Sequence, residues 1–437
     1  MAIGGAIGVG LFLGSASAIH EAGPSVLLCY VVAGVVVFLM LRALGEMAIN
    51  QPVAGSFATY AEQEIGPRTG YVTGWVYCLM WLTTAMAEIT AIGIYFQYFA
   101  DVPQWVPALV AVLLVLGANL VSAHMFGSVE FGFALVKIVA ILAFILSGVV
   151  ILVFGIGDLE RASASNLWDR GGFFPEGIGG TLIALQIVTY AFAGVEMIGV
   201  TAGEAKDPGR DLPLAINRVA WRILIFYVGA ILIVLMLIPW DRIRPGQSPF
   251  VAAWEALGVP AAGAVLTIVV LSSALSSCNS GIFTSARMLW SMSDTGEAPR
   301  PLHTLSRSHV PARALALCGG VLVIGVILNA VVPDKAFAYI TSIATVAVLW
   351  VWGVIAVTHL RYRARVQRGD APRQAFRLPG SPWTNVVVLA YIAVVVVLLA
   401  ITPDQRVSLA AGAVVAMLLA VGWRWLVVPR RRAAGRL

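Results

Sequence analysis

The sequence predicts an all-α integral membrane protein of about twelve spanning helices, two of them interrupted. Three observations predict it. Of 437 residues, 60% are hydrophobic and 11% charged, with a mean hydropathy of +0.91. A water-soluble domain carries roughly a quarter charged residues, so this much apolar surface cannot be buried in one soluble core. Apolar runs of ~20 residues also recur along the chain, each long enough to cross the ~30 Å hydrocarbon core as a helix. VVAGVVVFLML and VVVVLLAI are continuous rather than alternating, unlike the strands of a membrane barrel. Finally, two of the runs carry glycine clusters, which weaken a helix interior.

In order, the predicted segments are 1–19, 25–48, 71–99, 103–123, 129–157, 178–203, 217–239, 260–293, 311–332, 335–362, 383–402 and 406–428. The longest connections, such as 49–70, 158–177 and 240–259, are too short for a soluble domain. The charges set the orientation. Of the 28 Lys and Arg, six (Arg161, Arg170, Arg242, Arg244, Lys335, Arg406) fall on one side, and Lys137 falls within a span. The rest lie at or beyond helix ends on the opposite side, including RYRARVQRGDAPRQAFR (361–377) and PRRRAAGR (429–436). Basic connections stay cytoplasmic, so both termini are expected inside, with the chain multi-pass in the plasma (inner) membrane among its lipids. Nucleic acid is not expected as a partner, because the net charge of +6 is spread over loops without interleaved aromatics or a folded domain. The four cysteines all fall within predicted helices and show no metal-ligand spacing, so buried thiols and no metal are expected. The N-terminus lacks the basic region and cleavage site of a signal peptide.

The interrupted runs are GGAIGVGLFLG (4–14) in segment 1 and AFAGVEMIGVTAG (191–203) in segment 6. Close packing through small residues is one reading of each cluster. Their spacing favours another. The clusters lie five segments apart, and five is odd, so a directly repeated five-helix unit must be inverted across the membrane. Matched interruptions in two halves mark an inverted-repeat carrier with its site near the midplane. The expected units are 1–157, 178–362 and an accessory pair, 383–428. Other classes lack their signatures. Gly8-x-Gly10 is not followed by a third glycine, since position 13 is Leu13, which removes a dinucleotide site. No phosphate-binding loop or repeated channel filter occurs. The five histidines lie at or beyond predicted helix ends and form no catalytic cluster, so no enzyme is expected.

AIGGAIGVGLFLGSASAIHEAGPS, RALGEM, AEITAIGIYFQY, GVEMIGVTAGEAKDP, INRVAWRILIFYVGA and SSALSSCNSGIFTSARML together resemble the amino acid transporter branch of the amino acid–polyamine–organocation permeases. The likeness runs through nearly all of the chain. It implies a leucine-transporter-type five-plus-five inverted repeat, amino acid substrates, and a proton as coupling ion with no other cofactor. In one respect the sequence departs from the family pattern. Met1 stands two residues before Ile3, so little of an inner half of segment 1 is expected here.

An unwound stretch inside a membrane must line a cavity or face a ligand, because its backbone groups have lost their helical partners. An amino acid supplies the complement. Its carboxylate can take N–H groups at the helix end around Gly8, Val9 and Gly10. Its ammonium can take carbonyls around Ala191 and Phe192, with one near Ala6 as a further candidate. Glycines such as Gly194 let the ligand approach the main chain. Phe192 is a candidate lid, with ordinary packing as the alternative.

Ionisable residues at membrane depth are costly and mark function by default. They are Glu88, Lys137, Glu196 and Glu204. Glu88 has a structural anchor as its alternative role, and Glu204 an interfacial one beside Lys206 and Asp207. Removal from water disfavours a charged ammonium, making Lys137 a candidate carrier of an exchangeable proton. By resemblance it occupies the place where sodium-coupled relatives hold an ion between segments 1 and 8; a permanent ion pair is the alternative. Arg42 and Glu46, four apart, are expected to pair near the inner end of segment 2. The serine-rich segment 8 suits a pathway wall, or interhelical hydrogen bonding. SSCNSGIFTSARML looks closest to carriers of small neutral amino acids and RGDAPRQAFRLPGSPW to asparagine-type permeases, which favours neutral substrates; an exchanger or non-transporting sensor of the same fold is the alternative.

Overall fold

The computed structural model describes residues 8–53, 55–121, 126–155, 162–204, 207–256, 260–306 and 310–433. Among these residues it holds helices and turns and no strand. Segment 1 is α1 (Val9–Phe12) and α2 (Gly14–Ala22), and segment 2 is α3 (Val26–Asn50). After the short α4 (Ser56–Glu64) come α5 (Pro67–Phe96), α6 (Trp105–Val121) and α7 (Phe126–Phe154), which are segments 3 to 5. Segment 6 is α8 (Gly177–Tyr190), a break, and α9 (Met197–Val200). Segment 7 is α10 (Pro208–Arg222) and α11 (Ala230–Leu237), joined by the π-helical stretch Ile223–Gly229. A second short helix, α12 (Pro249–Ala256), precedes α13 (Pro260–Asp294), α14 (Ala312–Val331) and α15 (Pro333–Arg368), which are segments 8 to 10. The accessory pair is α16 (Trp383–Ile401) and α17 (Arg406–Gly422), and α18 (Val428–Ala433) follows.

Nine helical runs among the described residues are long and apolar enough to cross a membrane. The first, Val9–Asn50, contains segments 1 and 2, and the shorter apolar α6 and α8 belong to segments 4 and 6. Every predicted segment therefore has its helix. Three details differ from the sequence expectation. The connections 49–70 and 240–259 contain α4 and α12, whose few apolar residues give no membrane-length signal. The helix of segment 10 runs on to Arg368, past the expected end at 362, and stops at Gly369 in the left-handed conformation a helix end favours.

α5 lies at the centre, packed along α13 and α15. α2 packs on α8, α3 on α10, and α6 on α14. The contacts recur under a shift of five segments. Segment 3 with 4 recurs as 8 with 9, 3 with 9 as 8 with 4, 5 with 7 as 10 with 2, and 5 with 8 as 10 with 3. The two short helices follow the same shift. α4 packs on segment 3 and on α9 of segment 6, where Gly199 abuts Ser56. α12 packs on segment 8 and on segment 1, through Phe250 against Phe12 at 5.4 Å. Rows of exposed aliphatics, such as Val414, Met417, Leu418 and Val421 on α17, form the outer surface, as lipid contact requires.

The expected Arg42–Glu46 pair is not formed. Arg42 donates to Asn217 Oδ1 (3.0 Å) and the Arg377 carbonyl (2.6 Å), and lies over the Phe376 ring. Glu46 is buried and turns to α15 instead, accepting from Arg363 (2.9 Å) and the Leu378 N–H (2.8 Å) and bonding His359 Nε2 at 3.0 Å. Tertiary partners thus outcompete a neighbour one helical turn away. His359, expected near a helix end, is fully buried and its other ring nitrogen meets Asn385. Further out, Arg431 bridges Glu62 of α4 and Glu297 after α13 at 2.8 and 2.6 Å. Glu46→Ala leaves Arg363 without its carboxylate, and breaking such a buried pair costs ~3–5 kcal/mol. We expect a clearly lowered melting temperature for the purified variant; an unchanged one would mean the network adds nothing to stability.

Candidate functional site

The breaks in segments 1 and 6 meet. Gly8 enters α1 with extended backbone, and Leu13 interrupts the helix before α2. Segment 6 tightens after Tyr190. The N–H groups of Ala191, Phe192 and Ala193 reach the carbonyls of Val188, Thr189 and Tyr190 at 3.0, 3.2 and 2.9 Å, one residue short of the α-helical partner. Gly194 then takes φ +92°, a conformation closed to most side chains. At Gly10 the two backbones touch, since a Cβ there would lie 2.7 Å from Ala191 Cα.

Glu88 of α5 stands at the first break. It is buried, and its Oε1 accepts the Val9 N–H at 3.4 Å. Its carboxylate and the Ser277 hydroxyl of α13 both border Gly8. Oε2 has no hydrogen bond among the described residues. Lys137 of α7 is equally buried and lies within electrostatic reach of Glu88. The structure therefore joins Gly8, Val9, Gly10, Ala191, Glu88 and Lys137 in one place, with Gly194 three residues beyond.

Glu196 follows the second break and is fully buried, yet neither carboxylate oxygen has a hydrogen-bond partner among the described residues. Tyr77 of α5 lies near it, and Trp352 lies beside it without closing a hydrogen bond. The Tyr77 hydroxyl and Trp81 indole N–H are also unsatisfied. Each orphaned polar group costs ~1–3 kcal/mol in a dry core, so this row suits a passage for water and a polar solute. On the other side of the breaks, a cavity of about 220 Å³ is bordered by Ser17, Glu21, Gln186, Tyr190 and Thr345. It ends one residue short of Ala191.

The remaining expected residues are placed as follows. Ala6 lies outside the described residues. The Glu204 backbone ends a 3-10 turn, Thr201–Glu204, and its side chain lies outside the description. Phe192 is wedged in an aromatic cluster, stacked on Tyr227 at 4.8 Å with Tyr30 at 6.2 Å, an arrangement of ordinary packing. The Ala191 carbonyl accepts the Tyr227 hydroxyl at 3.2 Å and keeps a second lone pair. Sequence reasoning missed Tyr77, Trp81, Trp352 and Tyr227. A signal existed for two of them: Tyr77, Trp81 and Glu88 recur at helical spacing on one stripe of α5.

The amino acid permease family model matches residues 1–432. The uncharacterized amino acid permease YtnA of Bacillus subtilis is 48% identical over 94% of this chain and 89% of its own length. Amino-acid permease AapA of the same organism is 41% identical, over 94% and 89%. The L-asparagine permease of Escherichia coli is 41% identical, over 97% and 86%. Full-length matches at this identity share a fold and a transport role with the bundle described above, and so the chain belongs to the amino acid permease family, as an integral membrane carrier of amino acids and not an enzyme.

Proposed function

We propose that the chain imports neutral amino acids across the plasma membrane by proton symport, with both termini cytoplasmic. The observation that carries this reading is the hydrogen bond from Val9 N–H to Glu88 beside Lys137. The N–H suited to a substrate carboxylate is held by a carboxylate of the protein. A second anion entering there meets like-charge repulsion. A proton delivered to the Glu88–Lys137 pair removes that repulsion and frees the N–H, so proton and substrate bind together. The substrate ammonium then lies toward the open lone pair of the Ala191 carbonyl. Glu196 and its unsatisfied neighbours line the inward route. In this reading 1–157 and 178–362 are inverted repeats, supported by the contacts that recur five segments apart. Neutral substrates are supported by two relatives over 40% identical, the L-asparagine permease and the probable threonine/serine transporter YbxG.

The deciding experiment is uptake of a labelled amino acid panel into proteoliposomes, with and without an inward proton gradient. Gradient-dependent accumulation of neutral amino acids is expected. Binding without accumulation would indicate a sensor, and accumulation only against internal amino acid an exchanger. Orientation has its own test: a cysteine at Arg368 should label from inside and one at Ser165 from outside. External labelling at 368 would invert the topology.

A further inference from the structure

A second cavity, of about 350 Å³, lies apart from the transport site, between α5, α15 and α17. Its lining runs from Arg68 to Thr83 on α5, from Ile343 to Trp350 on α15 and from Gly412 to Ala420 on α17. The walls are almost wholly aliphatic, and Arg68 is the sole charged residue in the lining. We propose that this groove is a binding site for an anionic phospholipid, with one acyl chain between the helices and the phosphate at Arg68.

The dimensions favour a lipid chain over a soluble ligand. Arg68 and Thr83 are fifteen residues apart on α5, about 22 Å at ~1.5 Å per residue, so the groove reaches past the middle of a ~30 Å hydrocarbon core, as an acyl chain does and a small soluble ligand does not. The groove is charged at one end only. α5 begins there with Pro67, so Arg68 sits at the membrane surface while Thr83 and Ile343 lie deep. Under the orientation proposed above that surface is cytoplasmic.

Charge selects the headgroup. Arg68 is exposed and has no hydrogen bond or ion pair among the described residues. The acidic residues just before it are already engaged, Glu62 with Arg431 and Glu64 with Arg365. A basic side chain left over at the mouth of an apolar groove complements a phosphodiester. The Trp350 indole, bonded to Thr73 at 3.3 Å, ties α15 to α5 along the wall of the groove. α17 packs on α15 and touches α5 only lightly, so an acyl chain in the groove fills space the three helices leave open.

The test uses purified full-length protein in detergent, with phosphatidylglycerol and phosphatidylcholine of identical chains, read by native mass spectrometry and thermal unfolding. Wild type is expected to bind and be stabilised by phosphatidylglycerol with about fivefold preference, equivalent to ~1 kcal/mol for one basic side chain at the surface. Arg68→Gln should lose the preference and keep chain binding. Ala416→Trp fills the groove from its exposed wall and should block both lipids. Equal binding of the two lipids by wild type, retained preference in Arg68→Gln, or a dimer that occupies the groove and excludes lipid would each overturn the proposal. Binding in detergent is independent of transport, so failure here leaves the symport reading untouched.

Discussion

Lys137→Ala is expected to abolish accumulation of amino acid under an inward proton gradient while leaving some downhill exchange. The backbone contacts between Gly10 and Ala191 do not involve this side chain, so the site for the substrate head survives. Glu88 changes most. It keeps its bond to Val9 N–H but loses the cation within its reach. Leaving one charge of a buried pair uncompensated costs ~3–5 kcal/mol, so the site settles into a single protonation state and stops exchanging protons during the cycle. The measurement is concentrative uptake in proteoliposomes at matched reconstitution. A variant that concentrates substrate with wild-type pH dependence would make Lys137 a structural cation and move the proton route to the glutamates, Glu88 first.

Gly10→Ala should have the second largest effect. One added carbon would lie 2.7 Å from Ala191 Cα, and backbone cannot give way as a flexible side chain can. The two breaks must separate, taking the Val9 N–H and the Ala191 carbonyl out of register with one small zwitterion. Affinity should fall at least ~tenfold, or ~1.4 kcal/mol. Gly117→Ala on α6 is the control, because no atom lies within 4 Å of its added carbon. Equal affinities for the two variants would mean that the contact of the breaks does not shape the site.

Much of this molecule was legible in its sequence because membranes impose long, continuous apolar runs. All twelve predicted segments correspond to helices, and the glycines at 8 and 194 depart from regular helix while Gly10 lies within α1. Glu88 and Lys137 stood out as charges at membrane depth, and they prove to be neighbours. What was not legible depends on tertiary partners. Nothing local shows that Glu46 prefers Arg363 and His359, over 300 residues away, to Arg42 one turn away. Phe192 left lid and packing both open from its place beside the break, and its contacts with Tyr30 and Tyr227 depend on residues far away in the chain. The short α4 and α12 were hidden because neither carries a span of apolar residues.

Those two short helices behave like doorstops fitted on opposite sides of a wall. α4 rests against the second half of segment 6 at Gly199, and α12 against segment 1 through Phe250 and Phe12. Under the orientation proposed above the first is the inner leaf of the carrier and the second the outer, and each stop would limit the swing of its leaf. Planing down one stop should therefore leave the carrier ajar on that side. Phe250→Ala frees the outer leaf, and Ser56→Gly relaxes the seat of the inner one. Under the import cycle proposed above, the balance between inward-open and outward-open forms would then depend on two small helices packed beside the breaks rather than within them.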